Sequence, residues 1–194
     1  DLPDMNVYIT SDGSVLYNSP ALCSYCNDPT YNNNTQDWVA KMESCEDNAG
    51  EWILDYVITE EECSAIPSLD GNGGWWFNGE VGSFQFQLTG INITGASGGS
   101  AADNGFLTIT NGNDVPSGIS KVLGYSPTLT SIPIGTDVLL TKVTFTTFEG
   151  SSICFGEDTG SSGSTAISDT IGVYIAADWG DCYGAGSEGC TDID

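Results

Sequence analysis

The chain has 194 residues, 39% of them hydrophobic, enough for one sizeable core with or without an inserted subdomain. Its 27 Asp and Glu face only three basic residues, Lys41, Lys121 and Lys142, and the formal charge of −24 repels nucleic acid and anionic lipid alike. With no His, most schemes for activating a nucleophile are closed, and so are the usual Cys/His zinc sites.

The same acidity suits a saline, marine-like medium, which screens self-repulsion beyond about 10 Å, or surroundings rich in divalent cations. It suits plain solubility equally well. No apolar run approaches the roughly 18 to 20 residues of a membrane span, so membrane insertion is not expected. The chain starts Asp1-Leu2-Pro3-Asp4 without Met, which reads as a mature terminus left after removal of a leader. Seven cysteines agree with an oxidising, extracellular setting.

In chain order, Asn6 to Thr10 and Val15 to Tyr17 flank Ser11-Asp12-Gly13-Ser14, which predicts a hairpin. Residues 21–74 change character and read as a Cys-rich, partly helical insertion. Within it Trp38, Val39, Met42 and Cys45 have helical spacing, and Thr59-Glu60-Glu61-Glu62 has the capping-box pattern of a second helix start. From Trp75 the β pattern resumes, with period-2 alternation in Ser83 to Leu88, Phe106 to Thr110 and Val138 to Phe145. Gly- and Ser-rich turns fall at 95–100, 111–118 and 160–164, and Ile167 and Ile171 to Ile175 supply the last strands. The expected organisation is an all-β sandwich over 1–20 and 75–182, the insertion at 21–74, and a loosely held acidic tail at 183–194.

The succession Val81 to Leu88, Gly105-Phe106-Leu107, Lys121 to Ser126, and Ile132-Pro133-Ile134-Gly135 running on to Phe145 resembles the strand order of cohesin-type domains. The likeness covers about the central third of the chain. It implies a nine-stranded jelly-roll sandwich, extracellular location, and protein-binding or scaffold duty. The Cys-rich insertion is an addition to that family pattern, and no dockerin-like repeat accompanies it. At the C-terminus, Gly189-Cys190-Thr191-Asp192 resembles the opening of short Cys-rich acidic repeats of secreted and marine surface proteins, which implies a chain continuing past Asp194.

Cys23-Ser24-Tyr25-Cys26 has redox-motif spacing, yet no cation nearby would lower a thiol pKa. Structural disulfides are expected instead, with Cys23 and Cys26 each bonded to one of Cys45 and Cys63, the pairing open; a four-Cys metal site is the alternative. Cys154 and Cys182 are expected to join. Cys190 is then odd, pointing to an intermolecular bond, a downstream partner or an exposed thiol. Asp70, Asn72, Asp178 and Asp181 lie in Gly-rich segments and are the candidate Ca²⁺ ligands, against ordinary Asp/Gly turns; no other cofactor is expected. Trp75 and Trp76 are candidates for stacking on a sugar ring, against core packing. Asn33 and Asn92 fit the N-glycosylation acceptor pattern.

Carboxylate pairs are too numerous for any one to stand out as a catalytic dyad, so no enzyme is expected. The leading expectation is a self-assembling structural or adhesive subunit of a filament, fibre or surface layer of a cell or virus, with the N-terminal segment as one candidate donor strand. A carbohydrate-binding module or a cohesin-like receptor domain is the alternative.

Overall fold

The computed structural model describes residues 5–32, 38–69, 71, 73–111, 119–146, 152–157 and 165–184. These are mostly β, in antiparallel sheets with a few short helices. They fall into two units, one from Asp1–Ser19 with Val81–Asp194, the other Pro20–Glu80.

In the first unit, Asp12-Gly13 reverses the chain between β1 (Asn6–Ile9) and β2 (Ser14–Ser19). Gly13 sits at φ 84°, and a Cβ there would collide with the Val143 carbonyl, so the turn needs glycine. The Asp12 carboxylate accepts from Thr10 Oγ1 at 2.6 Å and Ser14 N at 3.2 Å, closing the loop locally. β2 also pairs with β10 (Gly135–Phe145), which pairs with β7 (Ile93–Ser97), giving the order β1-β2-β10-β7. The N-terminal strand therefore completes its own sheet. Val7 and Ile9 are buried there, so Asn6–Ile9, the part of the candidate donor segment that forms a strand, pairs within its own chain.

A second sheet runs β13 (Tyr174–Ile175), β12 (Ala166–Ser168), β6 (Ser83–Thr89), β9 (Ile119–Tyr125) and β8 (Leu107–Asn111), with β11 (Cys154–Phe155) also on β6. Along β6 burial alternates strictly, with Phe84, Phe86 and Leu88 inward. Each such side chain contributes about 1.5–3 kcal/mol by leaving water. Phe86 meets Phe155 edge-on at 5.6 Å and Trp179 at 6.4 Å. Phe84 lies opposite Gly124 on β9, and its ring fills the space a Cβ would need. Two side chains tie this sheet to β7: Ser120 Oγ accepts from Ile93 N at 3.2 Å, and Thr108 Oγ1 donates to the Ala96 carbonyl at 2.7 Å.

Several expectations change here. The Gly-rich stretch read as one long turn holds the end of β7 and a short helix, α3 (Gly99–Asp103), in which small residues allow close packing. The expected strand Ile171 to Ile175 shortens to β13, because Asp169 Oδ1 accepts from Ile171 N and Val173 N and folds that segment into a turn. At the start of the stretch read as a tail, Ile153 and Tyr183 exchange two backbone hydrogen bonds of 2.8 Å beside the Cys154–Cys182 disulfide. Cys190 and residues 185–194 lie outside the described residues, as do most of the expected turn 111–118 and all of that at 160–164.

The second unit is built on β3 (Leu22–Cys26), flanked by β4 (Trp52–Asp55) and β5 (Trp75–Phe77). The insertion is thus sheet as well as helix. Trp75–Phe77, read as the return to the sandwich, belongs to this sheet, because Leu22↔Phe77, Cys23↔Trp76 and Ser24↔Trp75 are cross-strand partners. Both expected helices are present, α1 (Trp38–Asp47) and α2 (Glu60–Ser64). In α1, Cys45 is fully buried, while the side chains of Trp38 and Val39 lie outside the described residues. α2 starts with the full capping box: Glu62 N donates to Thr59 Oγ1 at 3.3 Å, and Thr59 N donates to Glu62 Oε2 at 2.8 Å.

Candidate functional site

Cys23 and Cys26 stand three apart on a strand, and strand alternation sends them to opposite faces. Cys23 bonds Cys63 of α2, and Cys26 bonds Cys45 of α1, so each helix is stapled to its own face of the three-stranded sheet. All four sulfurs are spent in these bonds and are buried. Asn32, which sequence reasoning passed over, extends the same strand with its side chain: its Oδ1 accepts from Cys26 N at 2.6 Å, and its Nδ2 donates to the Cys26 and Pro67 carbonyls.

Trp75 and Trp76, the candidates for stacking on a sugar ring, do not share a face. As neighbours on β5 they point to opposite faces, both half-buried. The register instead puts Trp75 on the face of Trp52 and Leu54, with Trp75 stacked parallel on Phe77 at 6.1 Å, while Trp76 shares the other face with Tyr25 and Ile53.

Of the proposed cation ligands, Asp70 and Asn72 lie outside the described residues. Asp178 is exposed and serves the backbone: its N donates to the Met5 carbonyl, its own carbonyl accepts from Val7 N, and its Oδ1 accepts from Gly180 N at 3.2 Å. Asp181 is exposed too. Among the described residues no group of three or more His, Cys, Asp or Glu is gathered as a metal site requires. Asn33 falls outside the described residues, whereas Asn92 and Thr94 are exposed at the start of β7.

The surface with the most distinct chemistry is the outward face of the six-stranded sheet. None of its strands contains a carboxylate, although the chain carries 27. Cross-strand register aligns Gln85 and Gln87 of β6 with Leu123 and Lys121 of β9, and these with Ile109 and its neighbours on β8. Leu107 and Ile109 are about half exposed, at 49% and 50%. The outward side of the other sheet differs, for it holds Asp137, which accepts from Tyr8 Oη at 3.3 Å, and the Lys142–Asp12 pair at 2.8 Å.

Comparison with known proteins leaves the chain on its own: no family model, no curated protein and no solved structure matches it. The likeness to cohesin-type domains rests on the quoted strand segments alone. Three disulfides among the described residues fit an oxidising environment. No helix among those residues is long and apolar enough to cross a membrane.

Proposed function

We propose that this chain is a non-catalytic extracellular subunit, structural or adhesive, that assembles with itself into a filament, fibre or surface layer of a cell or virus. In this reading the four- and six-stranded sheets are the two layers of a cohesin-like jelly-roll sandwich, and Pro20–Glu80 is its disulfide-stapled insertion. The observation that carries the reading is the outer face of the six-stranded sheet, whose strands hold no carboxylate, with Leu107 and Ile109 exposed on it. On a molecule of charge −24, such a face is where another surface can approach without desolvating carboxylates, and contiguous exposed apolar side chains mark interaction sites. Disulfides on both units suit work outside the cell, and Asn92-Ile93-Thr94 is the exposed glycan acceptor where the producing cell glycosylates. Pairing of β1 within its own sheet favours docking by a surface over donation of the N-terminal strand.

Electron microscopy of the native material and of the oxidised, purified chain tests this. Filaments or regular multimers are the expected result. Dispersed monomers in both preparations would remove the reading.

A further inference from the structure

We propose that β8 is a self-docking edge: a second copy of this chain lays its own β8 antiparallel against it about a two-fold axis, joining two six-stranded sheets into one. The inference deepens the assembly reading above and rests on it. β8 is the terminal strand of its sheet, and among the described residues no strand pairs with its far side. An open edge presents a row of backbone donors and acceptors, and native proteins blunt such edges with charge, proline, brevity or cover. The other edges of this unit are treated in those ways. β13 has two residues, β1 is bridged by Asp178, and β7 lies beside β8 itself, whose Thr108 Oγ1 takes the Ala96 carbonyl. β8 has five residues, Leu107-Thr108-Ile109-Thr110-Asn111, with no charge and no proline.

Charge selects the occupant. Two chains at −24 repel wherever carboxylates meet, so copies join most readily across the one sheet whose strands hold none. An axis at Ile109 sets that residue against its symmetry mate and Thr108 against the partner's Thr110, cross-strand pairs of β-branched and hydroxyl type that stabilise antiparallel ladders. The same axis brings the Asn111 end of one β8, where Lys121 lies in register, beside the partner's Leu107 end, which follows the exposed Asp103 of α3. By symmetry this opposite-charge juxtaposition occurs twice. One of the chain's three cations, Lys121 of β9, therefore lies one strand in from the shared edge.

The test uses the full oxidised chain carrying Cys190→Ser, which removes the leftover cysteine, in sedimentation runs over a concentration series at about 0.15 M salt. The parent is expected to dimerise reversibly. Ile109→Lys, which opposes like charges at the axis, should weaken dimerisation roughly a hundredfold or more, with an unchanged melting temperature as the sign of an intact fold. Ile109→Cys should cross-link two chains, because residues facing across an antiparallel pair have Cα atoms about 4.5–5.5 Å apart, within disulfide reach. Leu129→Cys, at a position 91% exposed away from β8, should not. The cross-link decides the matter even where Ile109→Lys disturbs folding. Dimers or filaments that survive Ile109→Lys, with no cross-link from Ile109→Cys, overturn β8 pairing while leaving the assembly reading standing. A parent that stays monomeric and forms no filaments overturns both, and a monomeric parent that captures a glycan or a foreign protein through β8 overturns self-docking.

Discussion

Thr141 illustrates how one atom weighs on this fold. It lies on β10 where the pairing with β2 shifts register, fully buried opposite Val15, and its Oγ1 has no hydrogen-bond partner among the described residues. A buried hydroxyl without a partner keeps its desolvation cost, so Thr141→Val should stabilise the protein by about 1 kcal/mol, a rise of roughly 2–4 °C in melting temperature for a chain of this size. A fall in melting temperature would mean that the hydroxyl is satisfied. Asp12 works in the opposite sense. Lys142 Nζ at 2.8 Å, then Thr10 and Ser14, hold its carboxyl well below the usual carboxylate range. The folded group ionises at lower pH than the unfolded one, so its contribution is whole above the unfolded value near 4 and is lost as pH falls through the folded value. The melting-temperature gap between wild type and Asp12→Asn should therefore be flat from about pH 8 to 5 and close below about pH 4. A gap that widened on acidification would contradict the assignment. Because the pair is exposed, the gap should be small and should shrink with salt.

At the scale of elements, Pro20–Glu80 is too small to be held by apolar burial alone, and the staples of α1 and α2 to opposite faces of β3 compensate. The Cys26–Cys45 bond spans 19 residues and constrains the unfolded chain by about 3 kcal/mol. Replacing both cysteines by alanine should expose the amides of β3 and β4 to hydrogen exchange well before those of β6 and β9. Unchanged protection in β3 would show that the sheet holds itself. The two helices of this unit were legible from sequence because their signals are local: helical spacing before Cys45, and a Thr hydroxyl three residues from a Glu. β3, β4 and the membership of β5 were not. Those strands are short and rich in Cys and Trp, and what makes them strands is mutual pairing across tens of residues. A tryptophan pair that reads as one platform is split for the same reason, since facing is set by register and not by adjacency.

For the whole molecule, the charge of −24 is a standing repulsion against compaction, spread over turns and both units. Salt shortens its reach from about 30 Å at 0.01 M to about 3 Å at 1 M, so the melting temperature should climb across that range of sodium chloride. A flat profile would mean that the carboxylates are already neutralised by fixed partners. Sequence by itself determined the antiparallel strands of the first unit, the Asp12-Gly13 hairpin, the capped helix and the use of cysteine for cross-linking, because alternation and turn chemistry act between neighbours in the chain. Only the tertiary structure decided which cysteines meet, which tryptophans share a face, that β1 stays in its own sheet, and that β8 is the terminal strand of its sheet among the described residues. Those outcomes depend on which distant surfaces exclude water together, and spacing along a chain carries no record of that choice.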